Sequence, residues 1–456
     1  MNILVLGAGR VGFGVAKELV LGENNISVVD SSKEALNLVA EKLDVKPVFG
    51  HAADIEVLKE AGIETADIVI AVTSSDEVNI TVCQIADFMF NVETKIARVG
   101  KKSYFGEQNL FEKGRFPIDF VVSPAFEIVK MVKRIISIPG TVDVISCVNN
   151  RIRVIGIVCK KGSPIAGIQL KYIPSVDTKS NIAILLIKRA AGQWIFPNKT
   201  DEIRPGDEVY FVCAAENVQY AMAMFGYLAD EESNIIFIGG GEVCEEIISS
   251  MTSRDISIKV IESDLARAEE LSENLDNAEV LHGDPLNSDV LESADVNNSG
   301  IVISLTNDDK INILSSLLSK KLGAKRVAAI LNDSSYSDIL YSLGINSILD
   351  SRMASVAKIL HHIRKGRVED ILSFEETEIE VFALDVFDNS HAVGTLTDDL
   401  VVKNEIFIPA MLRGDEVIIL PKRVIINAGD KVLFISKQNS MDRILKLFQE
   451  KPKYLL

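Results

Sequence analysis

Three glycines, in the stretch Gly7-Ala8-Gly9-Arg10-Val11-Gly12, follow the apolar run "NILVL" and open a segment with apolar residues at helical spacing. This spacing suits a pyrophosphate. The first glycine permits a tight turn, the second lets the anion reach the backbone, and the third lets helix pack closely on strand. Free N–H groups at a helix N-terminus add a favourable dipole. Asp30 closes the next apolar run, "ISVVD", where its carboxylate accepts ribose hydroxyls and repels a 2′-phosphate. The pattern therefore predicts NAD(H) or ATP/ADP, and disfavours NADP. Arg98, in "KIARV", ends a strand at the same edge and either reaches a phosphate or makes a surface ion pair.

The motif nearly recurs in "NIIFIGGGEVC" (234–244), with Glu262 closing the following strand. Gly239, Gly240 and Gly241 keep the turn. Cys244 stands in place of the third glycine, and Glu242, Glu245 and Glu246 crowd the helix start. Carboxylates there satisfy the helix dipole themselves and oppose a bound anion. Where the first half offers Arg98, "KRVAAI" offers alanine. The second loop is thus left between holding a ribose through Glu262 and holding nothing.

No set of reacting groups accompanies either loop. The five histidines (His51, His282, His361, His362 and His391) have no metal-ligand spacing. His361 and His362 are neighbours on a helix, point about 100° apart, and are expected at the surface near a helix end. The five cysteines form no CxxC pair, which suits a reducing compartment. Neither G-x-S-x-G nor GxxxxGK[ST] occurs.

The elements that must carry these residues alternate strand, helix, strand in each half, the pattern of a doubly wound parallel sheet. "VTSSDEVNI" (72–80) pairs with "LTNDDKINI" (305–313), and "VFGHAAD" (48–54) with "LHGDPLN" (281–287). The chain is a duplication with a period of about 230 residues. Each half ends in short strands closed by a Gly-Asp turn, "RPGDEVYFV" and "NAGDKVLFI". The expected division is into Rossmann-like lobes at 1–122 and 232–350 and small α+β lobes at 141–225 and 368–452.

The 456 residues carry 48 basic and 65 acidic side chains, a net charge of −17, which opposes nucleic-acid binding. No basic segment followed by an apolar one opens the chain, and no apolar run approaches the roughly 18 residues of a membrane span. The helical segment "CQIADFMF" (83–90) offers Phe88, Met89 and Phe90 together, an expected oligomer interface or part of the lobe's own core. Two helical segments are basic, with Lys130, Lys133 and Arg134 in one and Lys358, Arg364, Lys365 and Arg367 in the other. They read either as helix-end cations or as a face attracted to a membrane partner.

"NILVLGAGRVG", "VVD" at 28–30, "VTSSDEVN", "ARV" at 97–99, "IDFVVSP" and the second copy together resemble the TrkA family, regulatory subunits of bacterial Trk potassium uptake systems. Such proteins hold two RCK units, each a Rossmann-type lobe followed by a small C-terminal lobe. The resemblance covers the whole chain. It implies a cytoplasmic homotetrameric ring, peripheral to the inner membrane, docked on a TrkH-type channel subunit and set by bound NAD(H) or ATP/ADP. It also implies a first site of Gly7 to Val11, Asp30, Thr73, Ser74 and Arg98, and a second of Gly239 to Gly241 and Glu262. An effector read by allostery needs no catalytic residues. The alternatives are an NAD-dependent oxidoreductase, which the missing catalytic set opposes, and an RCK-type regulator of another cation transporter.

Overall fold

The structure, a computed structural model, describes residues 1–449 except 21, 23, 106–110, 112–115, 139, 174–181, 190–191, 228–233, 252–255, 334–335, 337–338, 341–342, 344, 346, 364–367, 375–378, 403–404, 421–422 and 438–439. The run that opens the chain becomes the central strand β1 (Asn2–Leu6). Around it lie β2 (Asn25–Asp30), β3 (Lys46–Phe49), β4 (Ile68–Ala71), β5 (Thr94–Arg98) and β6 (Phe120–Val122), all parallel, in the order β3-β2-β1-β4-β5-β6. Both faces are covered, which is why these strands read as continuous apolar runs. Helices α1 (Arg10–Val20) and α2 (Lys33–Lys42) cover Val5, Val28 and Ile70; α3 (Ile55–Ala61) and α4 (Asp76–Phe90) cover Leu4, Leu6 and Val69 on the other side. Between β1 and β4 the strand order reverses, so their carboxyl ends open a crevice.

Helix α5 (Pro124–Ser137) leads into an antiparallel sheet of β7 (Thr141–Cys147), β8 (Ile152–Val158), β9 (Ile182–Lys188), β10 (Trp194–Ile195) and β11 (Glu208–Ala214), followed by α6 (Val218–Met224). Its order is β10-β9-β11-β8-β7.

The second half repeats the plan. Its elements are β12 (Asn234–Ile238), α7 (Glu242–Ser249), β13 (Ser257–Glu262), α8 (Leu265–Asn274), β14 (Glu279–His282), α9 (Ser288–Ser293), β15 (Ile301–Ser304), α10 (Asp309–Lys321), β16 (Val327–Leu331), β17 (Ser347–Asp350) and α11 (Ser351–Ile363). The sheet order β14-β13-β12-β15-β16-β17 is that of the first lobe. Then come β18 (Val368–Phe374), β19 (Ile379–Asp385), α12 (Thr397–Leu400), β20 (Ile406–Arg413), β21 (Glu416–Ile419), β22 (Lys431–Lys437) and α13 (Met441–Phe448). Their order, β18-β19-β22-β20-β21, is the first small sheet read from its other edge. The fold is α/β, a tandem duplication of a Rossmann-like sheet and a small antiparallel lobe.

Both Gly-Asp turns use one device. Gly206 and Gly429 take φ of +89° and +82°, left-handed values that favour glycine. The aspartate that follows is 2% exposed in each copy. Asp207 accepts the Arg204 N–H at 2.8 Å and pairs with Arg189. Asp430 accepts the Asn427 N–H at 2.7 Å and pairs with Arg413 through Nε at 2.9 Å and Nη2 at 2.7 Å. Removing one partner of a buried pair strands the other. Asp207→Ala is expected to lower the unfolding free energy by ~3 kcal/mol, read by denaturant melts; an unchanged midpoint would contradict the device.

Two compact units result. The first is Met1–Lys130 with Leu331–Ser334 and Asp350–Arg364, and the second is the rest of the chain. In the first, α11 lies on α1, and Val356, Ile359, Leu360 and Ile363 join the first lobe's core. A Cβ on Gly14 of α1 would stand 2.9 Å from Val356 Cγ2, so this glycine serves close helix packing. His362 corrects its expected surface place: it is half-buried and stacks on Phe120, with ring centroids 4.4 Å apart and planes at 9°. In the second unit the two small sheets share a core that includes Val154, Leu186 and Val212 with Val381, Ala410 and Leu433.

All five cysteines are free and buried, and burial pushes the Cys83 and Cys213 thiols up to about 12. Among the described residues no helix is long and apolar enough to cross a membrane, and no cluster of His, Cys, Asp or Glu could hold a metal ion. Lys130 pairs with Glu127 at 2.9 Å. Arg364, Lys365 and Arg367 lie outside the described residues.

Candidate functional site

The first glycine loop leaves β1 through Gly7, whose φ is +108° and whose N–H donates to the Val29 carbonyl at 2.8 Å. A Cβ on Gly7 would meet the Val72 carbonyl oxygen at 2.9 Å, and one on Gly12 would lie 1.8 Å from the Gly7 carbonyl oxygen. Those two glycines thus let β1, β4 and α1 approach. Gly9 differs, because nothing lies within 4 Å of where its Cβ would stand. The space above Gly9 is open, at the N-terminus of an eleven-residue helix.

Asp30 ends β2 beside this loop. Its Oδ2 accepts the Ala8 N–H at 2.6 Å and its Oδ1 accepts the Ser32 N–H at 2.7 Å. The carboxylate therefore latches the loop, and each oxygen retains lone-pair capacity for a ribose hydroxyl. Arg10 begins α1 and has a 55% exposed side chain. It donates to the Asn332 carbonyl and pairs with Asp333 at 3.4 Å.

Thr73 and Ser74 follow β4, and Arg98 ends β5, at the same carboxyl edge. Ser74 is exposed. The Thr73 side chain turns inward and donates to Asn79 Oδ1 at 2.7 Å, while the Thr73 N–H donates to the same oxygen at 2.9 Å. The Asn79 amide donates in turn to the carbonyls of Thr73 and Arg98, at 3.2 and 2.9 Å. Fully buried Asn79 thus ties the end of β4 to the end of β5. The sequence signal for it was its recurrence in the paired stretches "VTSSDEVN" and "LTNDDKIN". Arg98 Nη1 lies 3.4 Å from the Thr73 carbonyl, and its Nε is buried without a hydrogen-bond partner.

These features fit a nucleotide. Gly9 offers open backbone, Asp30 carboxylate oxygens with spare acceptor capacity, and Arg98 an Nε–H without an acceptor, at the carboxyl edge formed by the ends of β1, β2 and β5. An unpaired buried guanidinium N–H costs stability until an acceptor reaches it.

The second loop has the same skeleton and a different lining. Gly239 takes φ of +95°, and Glu262 accepts the Gly240 N–H at 2.6 Å and the Asp264 N–H at 2.8 Å. Arg267 donates Nε to the Gly240 carbonyl at 2.9 Å and pairs with Glu245 at 2.6 Å and Glu270 at 2.8 Å. A Cβ on Gly240 would meet Leu271 Cδ1 at 2.2 Å, whereas Gly241 is open. Cys244, 1% exposed, brings a side chain where Gly12 has none. Asn312 repeats the Asn79 bonds, to Thr306 and to the Ile330 carbonyl. That bond places Ile330, and not an alanine, opposite Arg98. The alanine expected from "KRVAAI" is thus out of register, and the second lobe has no cation at this position.

Family models match three segments of the chain. Residues 3–124 and 235–351 each match the TrkA-N domain, and 154–226 match the TrkA-C domain. Over 98% of its length the chain is 34% identical to the "Trk system potassium uptake protein TrkA" of Azorhizobium caulinodans, covering 99% of that protein. It is 31% identical to the protein of the same name from Vibrio alginolyticus, over the full length of both. Among solved structures, "Crystal Structure of the GsuK RCK domain" superposes with a TM-score of 0.60 at 18% identity, over 97% of this chain and 94% of that one. "GsuK channel bound to NAD" superposes with a TM-score of 0.58 at 18% identity, over 98% and 78%.

Proposed function

The chain belongs to the TrkA family, and from that membership we propose that it is the nucleotide-reading subunit that gates a Trk-type potassium channel. It is a regulator in potassium uptake and not an enzyme. The observation that carries the nucleotide reading is the first carboxyl edge, which carries Asp30, the open backbone at Gly9 and the unmatched Nε of Arg98. The residues proposed to hold NAD(H), or ATP/ADP, are Gly7, Ala8, Gly9, Arg10, Val11, Gly12, Asp30, Thr73, Ser74 and Arg98. Bound there, the nucleotide supplies charge and shape to bias two conformations, and no bond of it need break. A solved structure of the same fold, the GsuK channel bound to NAD, supports this choice.

Gly239, Gly240, Gly241 and Glu262 form a weaker site in this reading. The Arg267 ion pairs occupy the loop, and the surplus carboxylates oppose an anion. The membrane partner is proposed as a TrkH-type subunit, with the chain on the cytoplasmic side of the inner membrane. Potassium flux through that subunit, reconstituted with the full chain, tests the proposal. Flux should change on adding NADH or ADP, and should lose that response with Asp30→Ala; a nucleotide-insensitive flux would contradict it.

We also propose a homo-oligomer, a tetrameric ring. Phe88 is 92% exposed and Met89 51% exposed at the end of α4, while Phe90 packs inward. Beside them buried Lys95 is held by Asp87 at 3.1 Å and Asp119 at 3.3 Å, which fixes the end of this helix. An aromatic ring so exposed on a rigid helix suits an interface. Phe88→Asp is expected to shift light scattering toward the 49.9 kDa single chain; an unchanged mass would remove α4 from the interface.

A further inference from the structure

Arg10 is the one cation that the first glycine loop itself contributes, and it is engaged by the other half of the sequence. Its guanidinium donates to the Asn332 carbonyl and pairs with Asp333 Oδ2 at 3.4 Å. Asn332 and Asp333 follow β16 directly, and Ser351 at the start of α11 lies 3.4 Å from Asn332 Oδ1. All of these residues belong to the first compact unit, in which α11 also packs along α1. The second-half segment thus reaches the same helix at two places, its loop end and its side.

We propose that Asn332 and Asp333 are positioning residues of the first nucleotide site, which hold Arg10 until a nucleotide phosphate displaces Asp333 from it. The inference rests on the nucleotide reading above. An Arg–Asp pair whose side chains are 55% and 39% exposed is weakly held. A pyrophosphate offers the same guanidinium paired, charge-assisted acceptors beside the helix N-terminus. Phosphate and Asp333 then compete for one cation. The ligand's charge becomes a change in what the second-half segment is attached to. The second loop lacks this arrangement, because Glu242 stands where Arg10 does.

The competition is read by calorimetry on the full chain with ADP, NADH and adenosine, comparing wild type with Asp333→Asn and Asp333→Ala. Both variants should bind ADP and NADH about two- to fivefold more tightly and leave any adenosine affinity unchanged. Thermal melts of both variants show whether each remains folded, and the isosteric asparagine guards against loss of the alanine form. The gain should vanish when Asp333→Ala is made on an Arg10→Ala background. A purely structural Asp333 would instead leave all three ligands alike, or weaken them together, and either result overturns the proposal. If the wild type binds neither ADP nor NADH, the nucleotide reading itself fails and takes this inference with it. Wild-type binding with no phosphate-specific gain overturns only the competition.

Discussion

Asp30→Ala is expected to weaken NADH and ADP binding by ~1–3 kcal/mol, about five- to 150-fold. The change removes the charged acceptor proposed for the ribose. It also frees the Ala8 and Ser32 N–H groups that the carboxylate now holds at 2.6 and 2.7 Å. Losing the negative charge should also relax the exclusion of a 2′-phosphate, so the preference for NAD over NADP should narrow. Asp30→Asn separates the two effects, since its amide oxygen can keep part of the latch without the charge. Glu262→Ala in the second loop should cost less, because the surplus carboxylates Glu242, Glu245 and Glu246 already oppose an anion there. Calorimetry with NADH, ADP and NADPH would show it. Unchanged affinities in Asp30→Ala would remove the first loop as the site.

The second large effect is expected at Asn79. Its side chain makes four hydrogen bonds of 2.7–3.2 Å to the ends of β4 and β5, and alanine would leave several buried polar groups unmatched. Each such group costs ~1–3 kcal/mol, so a loss of about 3 kcal/mol in stability is expected. The loosened edge carries Thr73, Ser74 and Arg98, so nucleotide affinity should fall as well. Asn312→Ala makes the internal control. It removes the matching bonds in the second lobe and should cost comparable stability while sparing NADH affinity. Equal losses of affinity in both variants would contradict a site confined to the first lobe.

The duplicated strand–loop–helix units were legible because buried parallel strands must be apolar throughout and the glycine spacing answers a steric need. The structure shows that need directly, in the 1.8 Å a Gly12 Cβ would leave to the Gly7 carbonyl oxygen. Long-range side-chain choices were not legible. Arg10 finds partners 322 and 323 residues away, which no local pattern encodes. The role of Asn79 is not encoded in its own helix, although its recurrence at Asn312 marks it. His362 stacks on Phe120 because α11 is drawn into the first lobe's core, a placement its own helix periodicity does not specify. The register that set alanine opposite Arg98 went astray where "KRVAAI" supplies a run of apolar residues on a strand buried along its length.

The central claim is that one loop of a duplicated pair reads a nucleotide as an effector. The most direct measurement is the binding stoichiometry of NADH on the full chain, with recovery of the bound ligand. The account predicts one tight NADH site per chain with any second binding far weaker, loss of the tight binding in Asp30→Ala, and release of the nucleotide unaltered. Two equal sites per chain, no site, or NADH returned oxidised would contradict it.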